Sequence, residues 1–351
     1  MIWLTWRQFR VRAVTATAAL AAFAVLLGAT GPHLVSLYDA SGLNGCQGAS
    51  NCQHLADNFL LQLYGSYGVL YSLAVAAILL APAIIGLFWG APLIAAELET
   101  GTTALAWNQS ITRTRWLTIK LAITGLSAMT VTEALSLMQA WWAAPIGRAV
   151  GYGGNDGTVA LGRWNAFVFA SHGITPLGYA AFAFTLGVTA GALIRRTTSA
   201  MAVTVAIFAF VQIAVPLWIR PHLFPPSHTV VSVTSLQRIS MSQQGGRFGY
   251  DKFTIEALSL PGQPGAWPIA SGAVNPAGQP VGLAPAACST QAIMVSPSFL
   301  TCLASHGIRE AITYQPASRY WVIQWIETGG FLAVALALVG YCYRRLARRQ
   351  T

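Results

Sequence analysis

The sequence predicts an all-α integral membrane protein: six transmembrane helices, an N-terminal interfacial helix, and a loop-rich extracytoplasmic cap between helices five and six. Three observations carry that fold class. Only 9% of the 351 residues are charged while 55% are hydrophobic, with a mean hydropathy of +0.55. A soluble domain carries about 25% charged residues and needs them to build a solvated surface. Six apolar runs have about the length, roughly 20 residues, that crosses a hydrocarbon core as a helix. Basic clusters punctuate those runs, and 12 Trp, 11 Tyr and 15 Phe can furnish aromatic belts at two interfaces.

Taken in chain order, residues 1–12 come first. Trp3, Trp6 and Phe9 interleave with Arg7 and Arg10, as in a short amphipathic helix lying at the inner surface. A secretory leader is the rival reading of this basic stretch and the apolar run after it. The expected spans are Ala13–Ala29, Val69–Ala95, Leu117–Ala143, Gly173–Ile194, Ser199–Ile219 and Tyr320–Tyr343. Glu133 lies in the third and Glu327 in the sixth, and a single acid does not prevent insertion. Pro216 falls near the end of the fifth, where a kink costs least. Residues 30–68 and 145–172 are expected as outer loops, the second turning at Gly151–Asp156. The organisation is therefore 1–12 interfacial helix, 13–219 helices one to five with a loop at 96–116, 220–318 cap, and 319–351 helix six with a basic tail. The cap is rich in Pro and Gly, with β-like pieces such as Thr229–Val233.

Charge sets the expected orientation. Arg7, Arg10, Arg12, Arg113, Arg115, Lys120, Arg195, Arg196, Arg344, Arg345, Arg348 and Arg349 all flank helix ends on one side. The remaining basic residues spread over much longer loops. The positive-inside rule then places both termini in the cytoplasm of a multi-pass cell-membrane protein. The net charge of +10 is a topology signal. Nucleic acid is excluded as a partner, because the basic residues form no stripe. Cys46 and Cys52 fall in the first outer loop, Cys288 and Cys302 in the last, and Cys342 alone near the inner end of helix six. An oxidising exterior permits local bridges, Cys46–Cys52 and Cys288–Cys302. Four cysteines allow three pairings, so this choice rests on proximity. A zinc site is the weaker alternative, since neither pair has C-x-x-C spacing.

The segment between helices two and three is the most informative. Glu97 and Glu99 precede Gly101-Thr102, a short apolar helix around Leu105, then Ser110, Arg113, Arg115 and Lys120. Read on its own, it is a connector with interfacial tryptophans, large enough to dock on something and too small to be a domain. Its pattern resembles the cytoplasmic loop of type 2 ATP-binding-cassette exporter permeases. The opening Trp3–Arg10 and the closing Tyr314–Trp321 and Gln324–Gly329 are similar to actinobacterial members of that class. The resemblance implies a coupling helix at this loop that sits in a groove of an ATPase. It implies a working unit of two ATPase subunits and two permeases, the second a copy or a paralogue. Cargo would pass between the permeases, and ATP and Mg would be bound in the partner ATPase. The residues support the partner requirement separately. A P-loop needs a Gly-Lys pair, and the only lysines, Lys120 and Lys252, follow Ile119 and Asp251. The chain is thus expected to be a transport subunit, with no cofactor of its own and no enzymatic activity.

Glu133 lies about 20 Å along its helix from Lys120, and Glu327 about 12 Å from Arg319. Both occupy the outer half of the membrane and are candidates for the translocation path. The structural alternative for each is a buried hydrogen bond or a neutral acid. Gly86–Gly90 and Gly187–Gly191 are small-xxx-small pairs, expected to pack within one bundle rather than to form a dimer seam. His222 and His228 are close but lack an evident third ligand. An intramembrane enzyme is disfavoured: there is no His-Glu-x-x-His or Gly-x-Ser-x-Gly, and Ser171, His172 and Asp156 are too loosely placed for a triad. A proton-coupled carrier using Glu133 and Glu327, or a membrane sensor with an outer domain, are the remaining rivals.

Overall fold

A computed structural model describes residues 2–99, 113–152, 162–233, 238–242, 252–256, 265–282, 286–288 and 298–347. Six helices in it are long and apolar enough to cross a membrane. Helix α1 (Ile2–Ala40) runs without a break, so the stretch read as an interfacial helix and the first span are one rod. Helix α2 (Ala49–Ile85) passes through a π-helical turn at Gly86–Gly90 into α3 (Ala91–Glu99). The third span is α4 (Arg113–Trp142), followed by two short helices, α5 (Ala144–Gly151) and α6 (Ala166–Ser171). The fourth is α7 (Thr175–Ile194). The fifth is α8 (Thr197–Ala214), which ends in a π turn over Val215–Ile219, at Pro216, and a 3-10 turn at Arg220–His222. The sixth, α10 (Arg319–Ala347), follows the cap.

The expected outer loop at 30–68 is a correction. Most of it is helix: α1 continues to Ala40 and α2 begins at Ala49. At 1.5 Å per residue, α1 is about 58 Å long, against a hydrocarbon core of about 30 Å. The two helices therefore form a hairpin longer than a single crossing requires. A stripe explains it. Ala56, Phe59, Leu60 and Leu63 on α2 recur at helical spacing and pack on Leu27, Leu34 and Tyr38 of α1. The polar residues between them face outward, so no unbroken apolar run marks the segment. The Cys46–Cys52 bridge closes the hairpin tip. The 145–172 segment is likewise partly helical, at α5 and α6.

Helix α7 is the hub. Nearly three quarters of its apolar window is buried within the chain, against 6% for α1. It packs on α2, α3, α4, α8 and α10. Small residues make the close approach possible. A Cβ on Gly86 would lie 2.7 Å from the Ala183 carbonyl oxygen, and one on Gly90 2.5 Å from that of Phe184. Gly187 faces Gly86 and Ala91 in return, and Gly191 faces Ala91. The two glycine pairs are thus one seam inside a single bundle.

Beyond Arg220 lies the cap. Strands β1 (Ser227–Ser232), β4 (Trp267–Val274) and β5 (Arg309–Gln315) form an antiparallel sheet in the order β1-β5-β4. Thr229 and Ser271 both pair with Ile312 on the central strand. Strands β2 (Arg238–Ser242) and β3 (Lys252–Glu256) form a separate antiparallel pair. Helix α9 (Ser298–Ser305) contributes Phe299 and Leu303 to a small core with Val233, Ala273 and Ile308. The Cys288–Cys302 bridge ties α9 to the turn at Ala286–Cys288.

Candidate functional site

Two regions collect the chemistry, one at each end of the bundle. The first lies at the end where α1 begins and α10 ends. There, Phe9, Trp89, Leu93, Trp116, Leu117 and Cys342 from five helical segments form one apolar cluster. Phe9 meets Trp89 edge-on at 5.1 Å. Lys120, only 4% exposed, forms an ion pair with Glu97 and stands 4.5 Å above the Trp116 ring. A buried ammonium requires such a partner, since an isolated charge would be costly to desolvate. Glu99 reaches a different span: its Oε2 accepts from the Thr197 backbone N–H at 3.2 Å and the Thr197 hydroxyl at 2.8 Å. Thr197 opens α8, so this carboxylate satisfies a donor that the first turn leaves unpaired and lies where the helix dipole favours an anion. The two acids of one short helix therefore fasten it to α4 and to α8.

Of the loop residues expected to couple to a partner, Glu97, Glu99, Arg113 and Arg115 are placed. The backbone of Arg113 opens α4, and Arg115 is exposed on it. Gly101, Thr102, Leu105 and Ser110 lie outside the described residues. Thr118 and Tyr343 share a 2.6 Å hydroxyl contact that joins α4 to α10 at the same end. Cys342 is unbridged and buried beside Thr189.

The second region is a polar network at the cap end. Glu327 is buried and bound on three sides. Arg220 donates from Nε at 3.0 Å and from Nη2 at 3.1 Å to its two oxygens, and the Tyr179 hydroxyl donates at 2.5 Å. The Arg220 guanidinium lies 3.9 Å over the Phe169 ring. Sequence reasoning missed this partner because Arg220 sits at a span boundary and read as the first residue of the cap; its side chain is 1% exposed. One turn before Glu327, Gln324 accepts from the Ile174 N–H and donates to the His172 carbonyl. That leaves room only for a glycine at 173, whose φ is +68°. Ser136 of α4 donates to the carbonyls of Ser171 and Gly173. The irregular link between α6 and α7 is therefore held from both sides. Burial keeps the His172 imidazole below its ordinary pKa.

Glu133, the other intramembrane acid, is half-buried on α4, and its Oε2 has no hydrogen-bond partner among the described residues. No hydrogen bond or ion pair joins it to Glu327 among the described residues. An aromatic cluster ties the cap down: Trp164 stacks on Trp267 at 5.2 Å and meets Tyr320 at 5.2 Å. Arg163 and Trp164 both donate to the Gly265 carbonyl. Cys288, Cys302 and His306 lie within 4.8 Å of one another, but the two sulfurs are joined to each other, which removes the thiolates a metal would need.

A bundle of six helices long and apolar enough to span, with a small sheet at one end and two buried ion pairs among its helices, is that of a multi-pass membrane protein. Residues 17–220 match the family described as ABC-2 membrane transporter related, and the chain belongs to that family. No curated protein and no solved structure matches it. The family is one of membrane permease subunits of ABC transporters, which work with an ATPase subunit.

Proposed function

We propose that this chain is the permease of an ATP-driven exporter that moves a hydrophobic or amphipathic cargo (a drug, lipid or peptide) out of the cell. Two copies of a separate ATPase subunit bind ATP and Mg, and this chain binds no cofactor itself. A second copy of this permease, or a paralogue, completes the unit. Both termini, and the loop after Glu99, face the cytoplasm, where ATP is. The observation that carries the reading is the pair of anchors before that loop: Glu97 to Lys120 on α4 and Glu99 to Thr197 on α8. A push on Gly101–Arg115 by a closing ATPase would be delivered to two spans at once rather than dissipated in a slack connector. Glu133 is the stronger candidate for contact with cargo, because one of its oxygens is buried without a partner. Glu327 lies beside the path, its oxygens taken by Arg220 and Tyr179.

The test is co-purification of the tagged chain in mild detergent, with ATP hydrolysis measured on the eluate. A P-loop ATPase should accompany the wild type and be lost, or be retained without transport-linked stimulation, in a Glu97→Ala, Glu99→Ala double variant. A chain that purifies alone, indifferent to that variant, would move the reading to a proton-coupled carrier built around Glu133.

A further inference from the structure

Between α1, α3 and α4, at the end where α1 begins and α10 ends, lies a cavity of about 220 Å³. Its wall includes Phe9, Arg12, Leu93, Glu97, Lys120 and Thr124. Three of these carry charge, two positive and one negative. Glu97 is taken up with Lys120. Among the described residues Arg12 forms no ion pair, so the cavity keeps one uncompensated positive charge. The Lys120 ammonium has three donors, of which Glu97 Oε1 occupies one. Arg12 adds a planar fork of donors suited to the oxygens of a phosphate.

The flank of the cavity indicates where such a phosphate would come from. Val11 and Val14, beside Arg12 on α1, are 65% and 66% exposed. The apolar stretch of α1 is scarcely covered by the rest of the chain. A group that reached Arg12 from that side would arrive with apolar surface at hand for hydrocarbon, at the depth where basic residues end the spans. A phosphate diester carries a single negative charge, which matches the charge left over in the cavity. Basic pockets between spanning helices on the cytoplasmic side bind lipid headgroups for these reasons.

We propose that this cavity is a binding site for the phosphate diester of an anionic phospholipid, held between Arg12 and Lys120 with its acyl chains along α1. The bound lipid would brace α1 against α3, the helix that leads into the loop after Glu99. The site stands apart from the transport reading, because its test needs neither ATPase nor cargo.

The experiment is native mass spectrometry of the full chain in detergent, titrated with dioleoylphosphatidylglycerol or dioleoylphosphatidylcholine. Wild type should retain the phosphatidylglycerol in preference. Arg12→Gln should weaken that retention about fivefold, the effect of one basic residue near a membrane surface. Arg12→Lys, which keeps the charge, should restore most of it. Arg345→Gln, at the same end but outside the cavity, should leave it unchanged. Equal retention by wild type and Arg12→Gln, or no preference between the two lipids, overturns the proposal. A parallel titration with inorganic phosphate separates the sources: displacement of the lipid by millimolar phosphate would assign the site to a soluble anion and overturn the lipid assignment.

Discussion

Arg220 shows how much one side chain can hold together. Its guanidinium joins the end of the fifth span to Glu327 on the sixth, while Tyr179 of the fourth closes the group. Each charge is tolerable only because the other is present. Removing one partner from a buried pair typically costs about 3–5 kcal/mol, whereas replacing both with apolar groups can be nearly neutral. Arg220→Ala should therefore lower the thermal unfolding midpoint in detergent by several degrees. Arg220→Met combined with Glu327→Leu should recover most of the loss. A midpoint unmoved by Arg220→Ala would mean that the pair does not hold the three helices. Glu133 has no such support, since burial leaves one of its oxygens without a partner. The two acids look equivalent along the sequence, and only their neighbours distinguish them.

Among elements, α7 is positioned by shape. Lipid tails are as apolar as a helix surface, so close van der Waals packing must supply what water exclusion supplies elsewhere. Gly86, Gly90, Gly187 and Gly191 let backbone meet backbone across that seam. Gly187→Leu has nowhere to go but into the Gly86 carbonyl and the Ala91 amide; overpacking of this kind costs about 1–3 kcal/mol or more. Gly340→Leu on α10 meets open space and should be neutral. Folded yield and thermal midpoint of the two variants, side by side, check this; equal behaviour would place the seam elsewhere. Both glycine pairs were legible in the sequence because i, i+4 spacing of small residues has a direct packing meaning. The six spans were legible because their apolar runs are long. The helical hairpin at 30–68 was not, since a half-polar stripe such as Ala56, Phe59, Leu60 and Leu63 disappears in a search for unbroken apolar stretches. Arg220 was hidden for a related reason: an arginine at a span boundary reads as solvent-facing until its partner, more than a hundred residues on, is in place. The anchors of Glu97 and Glu99 were legible as residues worth attention, but their partners on two other helices were not.

At the scale of the whole molecule, the two ends are chemically different. The hairpin tip, the sheet and both disulfides lie at the cap end. The remaining cysteine, Cys342, lies at the other, together with Arg10, Arg12, Arg115, Arg195, Arg196, Arg344 and Arg345. Bridges persist in oxidising compartments and thiols in reducing ones, and short basic segments are retained in the cytoplasm. These are independent forces, one redox and one electrostatic, and they argue for the same orientation. That orientation is what the proposed coupling requires, because an ATPase docked after Glu99 must be where ATP is. Site-directed labelling can test it against little background, since four of the five native cysteines are bridged and the fifth is buried. Ala277→Cys, in the exposed turn of the cap after β4, should react with a membrane-impermeant maleimide on intact cells. Arg196→Cys, exposed between α7 and α8, should react only after permeabilisation. The opposite pattern would put the anchored loop outside the cell, beyond the reach of any ATPase, and the exporter reading would fall with it.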